Sequence, residues 1–444
     1  MEVTVEEKGT YERALTVRIP AAEVDPVLEE AFRELSRSAR LPGFRPGKTP
    51  RRVLESRYGA ALAADVAEKL IQNSFGNALQ SQQLNPVGPP LGLESGSVSR
   101  GQDFSYTATI QVFPRIEPKG YQGMALTRTS VSIDDADVDK VVERIRRSHA
   151  QFVAEEGRAA QQGDQLVLDF KGTLDGHAFP GGEAENYVLN LGESRFIPGF
   201  EEQLMGVRPG ESRDLHLTFP EGYHAAHLAG QAVQFQCRIH EVRRGELPAA
   251  DDDLATKAGV TAGGMERLRS DIRQRLQDDG DQTAREQLRQ QILRGLLDAN
   301  PMELPSQLVD MELDAMVKRI VEDYKKQGTT LEQSGQTPEG LQQQYRGKAH
   351  ERVVLGLLMG SITRTENIVV TEAAIEAHLD RITAQYGESA GNIKNWFRND
   401  EKRMEDIRGT LLEEAVMDWI VDHGQVTGRS VGLEALLAGA DQVA

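Results

Sequence analysis

Residues 43–50, with the sequence GFRPGKTP, combine an aromatic ring with two cations. Glycine and proline at this density exclude helix and strand, because proline lacks a backbone N–H and glycine loses more backbone conformational entropy than other residues when it is ordered. The segment is therefore a loop that presents Phe44 beside Arg45 and Lys48. This composition predicts contact with a partner that is anionic and partly apolar.

The charge around this loop contrasts with that of the whole chain, whose formal net charge is −18. Residues 33–57 carry two acidic side chains and these eight basic ones: Arg33, Arg37, Arg40, Arg45, Lys48, Arg51, Arg52 and Arg57. This asymmetry predicts one anionic docking surface and argues against general affinity for nucleic acid. The alternative is a solvated, arginine-rich helical face that has no partner.

Gly47-Lys48-Thr49 resembles the end of a phosphate-binding P-loop, but the rest of that motif is missing. The P-loop requires a further glycine, here at position 42, and a preceding strand. Position 42 is proline, and residues 26–38 have a helical pattern. We therefore reject a nucleotide site at this loop and predict no cofactor for the chain.

Aromatic and aliphatic side chains gather next to the turns of residues 151–245. They are Phe170, Phe179, Tyr187, Phe196, Ile197, Phe200, Tyr223 and Phe235. An apolar cleft suits a reaction that needs no proton donor, such as rotation about a prolyl amide, whose barrier is about 18–20 kcal/mol. A dry pocket lowers that barrier by binding the twisted amide better than either planar isomer. The alternative is ordinary core, and composition does not separate the two.

Other catalytic chemistry has little support in the sequence. We recognise no nucleophile–base set, no paired carboxylates and no dinucleotide fingerprint. His224 and His227 have a spacing that could chelate a metal on a turn, but there is no clear third ligand, so we favour solvent-facing histidines and predict no metal. Cys237 is the only cysteine and lies in an alternating strand pattern, which predicts a buried, inert thiol and excludes an internal disulfide.

Residues 1–112 must position the basic loop, and their pattern predicts a small α+β domain. Asp25 and Pro26 predict the N-cap and first turn of a helix that runs toward Ser38. Two helical stretches and a closing strand follow the loop, at residues 49–58, 61–83 and 103–113. The loop therefore connects helices.

Residues 113–150 are predicted to be a linker that ends in a charged helix over 134–149.

Residues 151–245 have a different pattern, in which short alternating runs between turns predict a compact antiparallel sheet with one short helix at 197–204. The strand candidates are residues 166–170, 186–191, 212–219 and 232–242.

Residues 246–432 are predicted to be an extended all-α domain with grooves, because the long charged helices have only narrow apolar stripes. The predicted helices are 265–299, 305–327, 338–366, 371–386 and 392–423. The densest stripe, within 355–362, suits promiscuous apolar contact, and helix–helix core explains its spacing equally well. Glycine and alanine in residues 433–444 predict a weakly ordered tail.

The length of 444 residues predicts about three domains. No apolar run approaches the roughly 20 residues of a membrane-spanning helix, and the acidic, alternating N-terminus does not read as a signal peptide. With one cysteine and an acidic balance, the expectation is a cytoplasmic protein without a membrane partner.

The segment 151–245 resembles the FKBP-type prolyl isomerases in DFKG at 169–172, FIPGFE at 196–201 and FPE at 219–221. The loop at 43–48 is similar to the ribosome-docking signature of the trigger factor family. The order of the parts resembles that family over essentially the full chain. This implies a multidomain α+β fold: an N-terminal α+β ribosome-binding domain, an FKBP-like antiparallel sheet with one helix, and an extended all-α C-terminal domain.

The resemblance to trigger factors implies that Phe44, Arg45 and Lys48 contact the large ribosomal subunit near the exit tunnel. Many members have lysine where this chain has Pro46. Arg51 or Arg52 is a candidate for replacing the missing cation.

The resemblance to FKBP-type isomerases assigns roles to the aromatic set. It implies catalytic pocket positions at Phe170, Phe179, Phe196, Ile197, Tyr223 and Phe235. Tyr187 matches a pocket-wall aromatic, and Phe200 stands where many FKBPs have a tryptophan at the pocket floor.

The resulting hypothesis is a ribosome-associated chaperone that binds nascent and unfolded polypeptides and catalyses peptidyl-prolyl cis–trans isomerisation. Docking would use ribosomal protein and rRNA phosphate, and a weak homodimer is expected off the ribosome. One alternative is a dedicated prolyl isomerase whose flanking regions only target it. Another is a nucleic-acid-binding module, against which the net charge argues.

Overall fold

The structure, a computed structural model, describes most of the chain. The described residues are 1–39, 44, 50–174, 176–193, 195–223, 225, 228–326, 328–331, 333 and 335–440, with the backbone alone at 180, 439 and 440. Arg45, Pro46, Lys48, His224 and His227 lie outside the described residues.

The strands are, in chain order, β1 (Glu2–Glu7), β2 (Glu12–Ile19), β3 (Gly92–Ser95), β4 (Phe104–Gln111), β5 (Ala125–Ser132), β6 (Gln151–Ala154), β7 (Gln165–Leu174), β8 (His177–Asn190), β9 (Ser212–Thr218), β10 (Ala232–Glu246) and β11 (Gln425–Gly432). The helices are α1 (Ala21–Ser38), α2 (Arg51–Ser81), α3 (Asp135–Ser148), α4 (Phe200–Gln203), α5 (Asp252–Lys257), α6 (Gly264–Ala299), α7 (Ser306–Lys326), α8 (Pro338–Glu366), α9 (Glu372–Thr383), α10 (Ala390–Arg398), α11 (Glu401–Asp422) and α12 (Leu433–Ala440). A 3₁₀ helix over Ala384–Ser389 follows α9.

The contacts divide the chain into two units, each described by itself below. Unit 1 comprises residues 1–128 and 288–427, and unit 2 comprises residues 129–287 and 428–444. The domain boundaries predicted at 112, 150, 245 and 432 do not coincide with the limits of these units, and they stay predictions. Among the described residues, no helix is both long enough and apolar enough to cross a membrane.

The N-terminal part of unit 1 is an antiparallel sheet in the order β1-β2-β4-β3, packed with α1 and α2. Helix α1 begins at Ala21, so the prediction that Asp25 caps it is wrong. Pro20 stands at the N-cap, and its carbonyl accepts the first backbone N–H groups. Asp25 instead accepts a hydrogen bond from Gly101 N at 2.8 Å, and Pro26 lies inside the helix.

Helix α2 is continuous, whereas the sequence pattern predicted two helices separated near residue 60. Gly59 lies inside α2, where an added Cβ would meet nothing within 4 Å. A glycine lowers helix stability by about 1 kcal/mol relative to alanine but does not end a helix. The buried side chains of Leu62, Val66 and Leu70 hold this face of α2 against the sheet. Helices α1 and α2 flank the basic loop, as predicted.

The helical part of unit 1 contains α7 to α11, close to the predicted positions. The predicted helix 392–423 is in fact α10 and α11, because Asp400 interrupts it and caps α11 by accepting from Arg403 N at 3.2 Å. In the apolar stripe of α8, Leu358 and Ile362 are fully buried within a helix–helix core. This part of the stripe is therefore core, the alternative that spacing had left open.

Unit 2 contains the predicted antiparallel sheet, in which β10 pairs with β7, β6 and β9, and β7 pairs with β8. The predicted strands lie within or close to β7, β8, β9 and β10, but β6 was missed. Helix α3 begins with a capping box in which Asp134 accepts from Asp137 N at 2.9 Å.

Regular structure also extends beyond what the sequence pattern indicated. Strand β5 lies in the predicted linker and pairs with β11, which lies in the region predicted to be all helical. The tail predicted to be weakly ordered contains α12, because Leu436 is buried against Val131 and Ala284. The overall prediction of an α+β N-terminal region, an antiparallel sheet with a helix, and a helical C-terminal region is confirmed.

Candidate functional site

The core of the sheet in unit 2 is built around the ring of Phe170. Its centroid lies 5.5 Å from that of Phe196 and 5.6 Å from that of Tyr187, in edge-to-face geometry. Phe200 and Phe235 lie 6.1 Å away, also edge-to-face. Such arrangements stabilise aromatic clusters because ring edges and faces carry opposite partial charge. Three strands (β7, β8 and β10), helix α4 and the turn before it thus supply one connected group of rings.

The predicted site residues separate by exposure into a floor and a rim. The floor consists of Phe170, Phe200 and Phe235, which are at most 8% exposed. The rim is half-buried and consists of Phe179, Tyr187, Phe196, Ile197 and Tyr223, all packed against the same core. The structure therefore packs all eight predicted side chains into one hydrophobic cluster, in which Phe200 is fully buried.

Phe219 belongs to this group but was missing from the predicted site. Its ring lies 4.6 Å from that of Tyr223 and 5.9 Å from that of Phe179, so it joins two rim residues. The sequence did contain a signal for this residue, because Phe219 ends a predicted strand and begins the FPE motif that resembles the FKBP-type isomerases. Its 4% exposure places it in the floor.

Two glycines leave the space that Phe179 occupies. A Cβ at Gly172 would lie 2.6 Å from Cε1 of Phe235 and 2.9 Å from Cε1 of Phe179. A Cβ at Gly182 would lie 2.8 Å from Cζ of Phe179. Because real Cβ atoms almost never approach other atoms within 3.0 Å, both positions must lack a side chain for this ring to pack here.

The segment that carries Phe196 is fixed by the carboxylate of Glu201. Glu201 is 8% exposed and accepts hydrogen bonds from Gly192 N at 2.7 Å and Arg195 N at 2.9 Å. Phe196 also stacks on Phe200 with 4.3 Å between centroids. Glu201 therefore satisfies the backbone of the turn and orients a rim residue without being part of the apolar surface.

The floor and rim side chains supply apolar surface and tyrosine hydroxyls, and they include no carboxylate, imidazole or thiol. The nearby Cys237 is buried, and burial raises the pKa of its thiol to about 12, so it is inert at neutral pH. Within the part of the chain that the structure describes, no group of three or more His, Cys, Asp or Glu could hold a metal ion. The arrangement suits binding of an apolar group and solvent exclusion.

Of the predicted docking residues, the structure describes Phe44, whose side chain is 41% exposed. Next to the loop, Arg51 is already engaged: it donates to Glu29 at 2.5 Å and to Glu55 at 2.7 Å, and lies over the Phe32 ring. Arg52 is exposed and makes no ion pair with any residue that the structure describes. Of the two candidates for replacing the missing cation, only Arg52 is available.

The sequence of this chain matches three family descriptions that together span most of its length. "Bacterial trigger factor protein (TF)" matches residues 1–145, and "Bacterial trigger factor protein (TF) C-terminus" matches residues 264–422. "FKBP-type peptidyl-prolyl cis-trans isomerase" matches residues 156–240, the segment that holds the aromatic site. The fold and the site thus define a multidomain protein that carries an FKBP-type isomerase domain.

Similar proteins agree over the full length. Trigger factor of Magnetococcus marinus is 44% identical, and the alignment covers 99% of each chain. Trigger factor of Thioalkalivibrio sulfidiphilus is 34% identical over 98% of each chain. A solved structure titled "Promiscuous Substrate Recognition in Folding and Assembly Activities of the Trigger Factor Chaperone" shares the fold, with a TM-score of 0.51 and 18% identity over 95% of this chain and 99% of that one.

The chain belongs to the trigger factor family. It is therefore a ribosome-associated chaperone with a peptidyl-prolyl isomerase domain, as the sequence analysis predicted. The alternative of a dedicated isomerase with targeting regions is not favoured.

Proposed function

We propose that the floor and rim described above form the isomerase site and that a prolyl ring of the client lies against Phe170 and Phe235, with the fully buried Phe200 packed beneath them. The rim would surround the preceding amide and exclude water from it. Amide resonance is weaker in the twisted transition state, and a dry surface stabilises that less polar state relative to the planar isomers. Catalysis on this site requires no proton transfer and no cofactor.

The observation that carries this proposal is the half-buried rim over a fully aromatic floor in the segment that matches FKBP-type isomerases. In the full-length chain, Phe196→Ala and Tyr223→Ala should each lower kcat/KM on a proline tetrapeptide by about tenfold or more, because the rim then orients the amide less well and admits water. Val188→Ala is the matched control, because Val188 follows Tyr187 on β8 but is 49% exposed. Wild-type rates in both rim variants would remove those residues from the site.

We also infer that Phe44, Arg45 and Lys48 dock the chain on the large ribosomal subunit near the exit tunnel, with Arg52 as an additional cation. The exposure of Phe44 and the absence of an ion-pair partner for Arg52 among the described residues support this assignment. Contacts to rRNA phosphate weaken as salt rises, because binding releases condensed counterions.

The docking assignment is tested by ribosome co-sedimentation at low and high salt. Replacing Phe44, Arg45 and Lys48 with alanine should abolish co-sedimentation while isomerase turnover persists. A matched triple variant on α7, Met311→Ala with Lys318→Ala and Arg319→Ala, removes one exposed apolar and two exposed basic side chains elsewhere. Normal co-sedimentation of the loop variant, or equal loss in the control, would overturn the assignment.

Client binding is proposed to rest on the parts of the chain outside the isomerase segment. Deleting residues 151–245 should leave suppression of aggregation largely intact while abolishing proline turnover. Loss of both activities, with circular dichroism showing that the remaining helices still fold, would favour the dedicated isomerase instead.

We propose that the protein is cytoplasmic and that it exchanges between a ribosome-bound form and a weak homodimer. Sedimentation velocity over a range of concentrations should show that dimer, and a monomer at every concentration would exclude it.

A further inference from the structure

The strands on both sides of β7 each carry a bulge close to Asp169: the β8 bulge lies opposite Asp169, and the β10 bulge lies between the partners of Leu168 and Val167. On β8, Tyr187 pairs with Leu168 and Ala184 pairs with Phe170, so two β8 residues oppose Asp169 alone. On β10, Ile239 pairs with Leu168 and Glu241 pairs with Val167.

Each bulge changes which face of the sheet the following side chains occupy. Ala184 and Tyr187 are three residues apart, yet both pack against the aromatic core. On β10, Ile239 and Val242 are likewise three apart and both buried in that core. In a regular strand, residues an odd number apart lie on opposite faces, so without the β8 bulge Tyr187 and Ala184 could not both face the core.

The carboxylate of Asp169 contacts both bulges. Asn186, in the β8 bulge, has a φ of 50° and donates its backbone N–H to Asp169 Oδ1 at 2.7 Å. His240, the extra residue on β10, places Nε2 2.7 Å from Asp169 Oδ2. These interactions, first the N–H of Asn186 and then His240, hold the pKa of the Asp169 carboxyl below its usual value.

We propose that Asp169 is a positioning residue for the isomerase site, which fixes the bulges of β8 and β10 and thereby sets Tyr187 on the rim. Its carboxylate lies on the outer face of β7, because the neighbouring Leu168 and Phe170 face the core, so Asp169 acts through the backbone and does not touch substrate. The free N–H of the bulge needs an acceptor outside the strand ladder, and the carboxylate supplies it. This inference rests on the isomerase site proposed above.

The test uses full-length Asp169→Ala and Asp169→Asn with Glu211→Ala as the matched control. Glu211 also accepts one backbone N–H, from Arg208 at 3.0 Å, and one side-chain donor, from Arg213 at 2.8 Å, but it holds a turn away from Tyr187. We expect Asp169→Ala to lower kcat/KM on a proline tetrapeptide by about tenfold, through displacement of the rim. Asp169→Asn, which keeps an acceptor oxygen, should recover most of the activity, and Glu211→Ala should remain at the wild-type rate.

A double-mutant cycle with Tyr187→Ala separates positioning from general stability. If Asp169 acts through Tyr187, adding Asp169→Ala to Tyr187→Ala should cost no further activity. The ¹⁹F resonance of 3-fluorotyrosine at position 187, assigned with Tyr187→Phe, should also move in Asp169→Ala and not in Glu211→Ala. Additive losses with an unmoved resonance, or wild-type turnover in Asp169→Ala, would overturn the inference. An inactive wild-type chain would instead contradict the proposed isomerase site itself.

Discussion

Gly172→Ala is the substitution that most directly tests how the candidate isomerase site is built. Gly172 lies on β7 opposite Phe235, and its backbone conformation is one that alanine also adopts. The only obstacle is therefore space: the new Cβ would lie 2.6 Å from Phe235 and 2.9 Å from Phe179. Optimal carbon–carbon separations are about 3.5–4.0 Å, so a ring must move by roughly 1 Å.

The two rings differ in how they can respond to the added methyl group. Phe235 is 5% exposed and packs against Phe170 and Phe200, whereas Phe179 is half-buried and can swing outward. Overpacking of this kind lowers the free energy of unfolding by about 1–3 kcal/mol. A rim displaced by about 1 Å lowers kcat/KM by about 10- to 100-fold.

Two further glycine variants calibrate this result. Gly182→Ala crowds Phe179 alone, so it should reduce turnover on a proline tetrapeptide with a smaller loss of stability to urea. Gly222→Ala adjoins Tyr223 but meets nothing within 4 Å, so it should change neither quantity. If Gly172→Ala lowers stability yet keeps wild-type kcat/KM, Phe179 and Phe235 do not contact substrate. If it changes nothing, the packing described for these rings is wrong.

Two other predictions concern ionisable groups. Because burial raises the pKa of the Cys237 thiol to about 12, iodoacetamide should label it at neutral pH no faster than the sheet unfolds, and rapid labelling of folded protein would contradict this. Asp418 is exposed, but partial loss of hydration, followed by the nearby carboxylates of Asp422 and Glu414, raises the pKa of its carboxyl, so the ionised form opposes folding above that pKa. Asp418→Asn should therefore raise the free energy of unfolding of unit 1 at neutral pH. This gain in stability should disappear as the pH falls, because the wild-type carboxyl then becomes protonated. A gain that persists in acid would refute the electrostatic cause.

The elements that could be predicted are those whose side chains repeat with one period over their whole length. The predicted limits of helix α8 agree with the structure, in which Thr337 caps a helix that begins at Pro338 and ends at Glu366. Errors occurred where a local helix cap or a tertiary contact overrides the periodic pattern. Asp400 divides a continuous apolar pattern, and Leu436 orders a Gly- and Ala-rich tail by packing against residues some 150 and 300 positions away in the chain.

The site was predictable in its residue types but not in its geometry. All eight side chains of the predicted pocket pack into one hydrophobic cluster, because each lies in a strand, a turn or the short helix α4, whose pattern or motif was visible. The bulge at Asn186 could not be predicted from the sequence. A strict two-residue period would place Ala184 and Tyr187 on opposite faces of the sheet. Recognising it requires knowing that Asp169, on the neighbouring strand, accepts the N–H that the bulge releases.

The geometry of the candidate site therefore depends on residues that lie behind its apolar surface. The rim offers mainly apolar area, which many side chains could supply, so exchanging one ring for another of similar size should change turnover modestly. The space for Phe179 depends on Gly172 and Gly182, and the orientation of Tyr187 depends on a carboxylate on the outer face of the sheet. No isosteric exchange exists for a glycine in contact with two rings. Conservative substitution should thus reduce turnover more at Gly172 and Gly182 than at the rim residues proposed to touch the client.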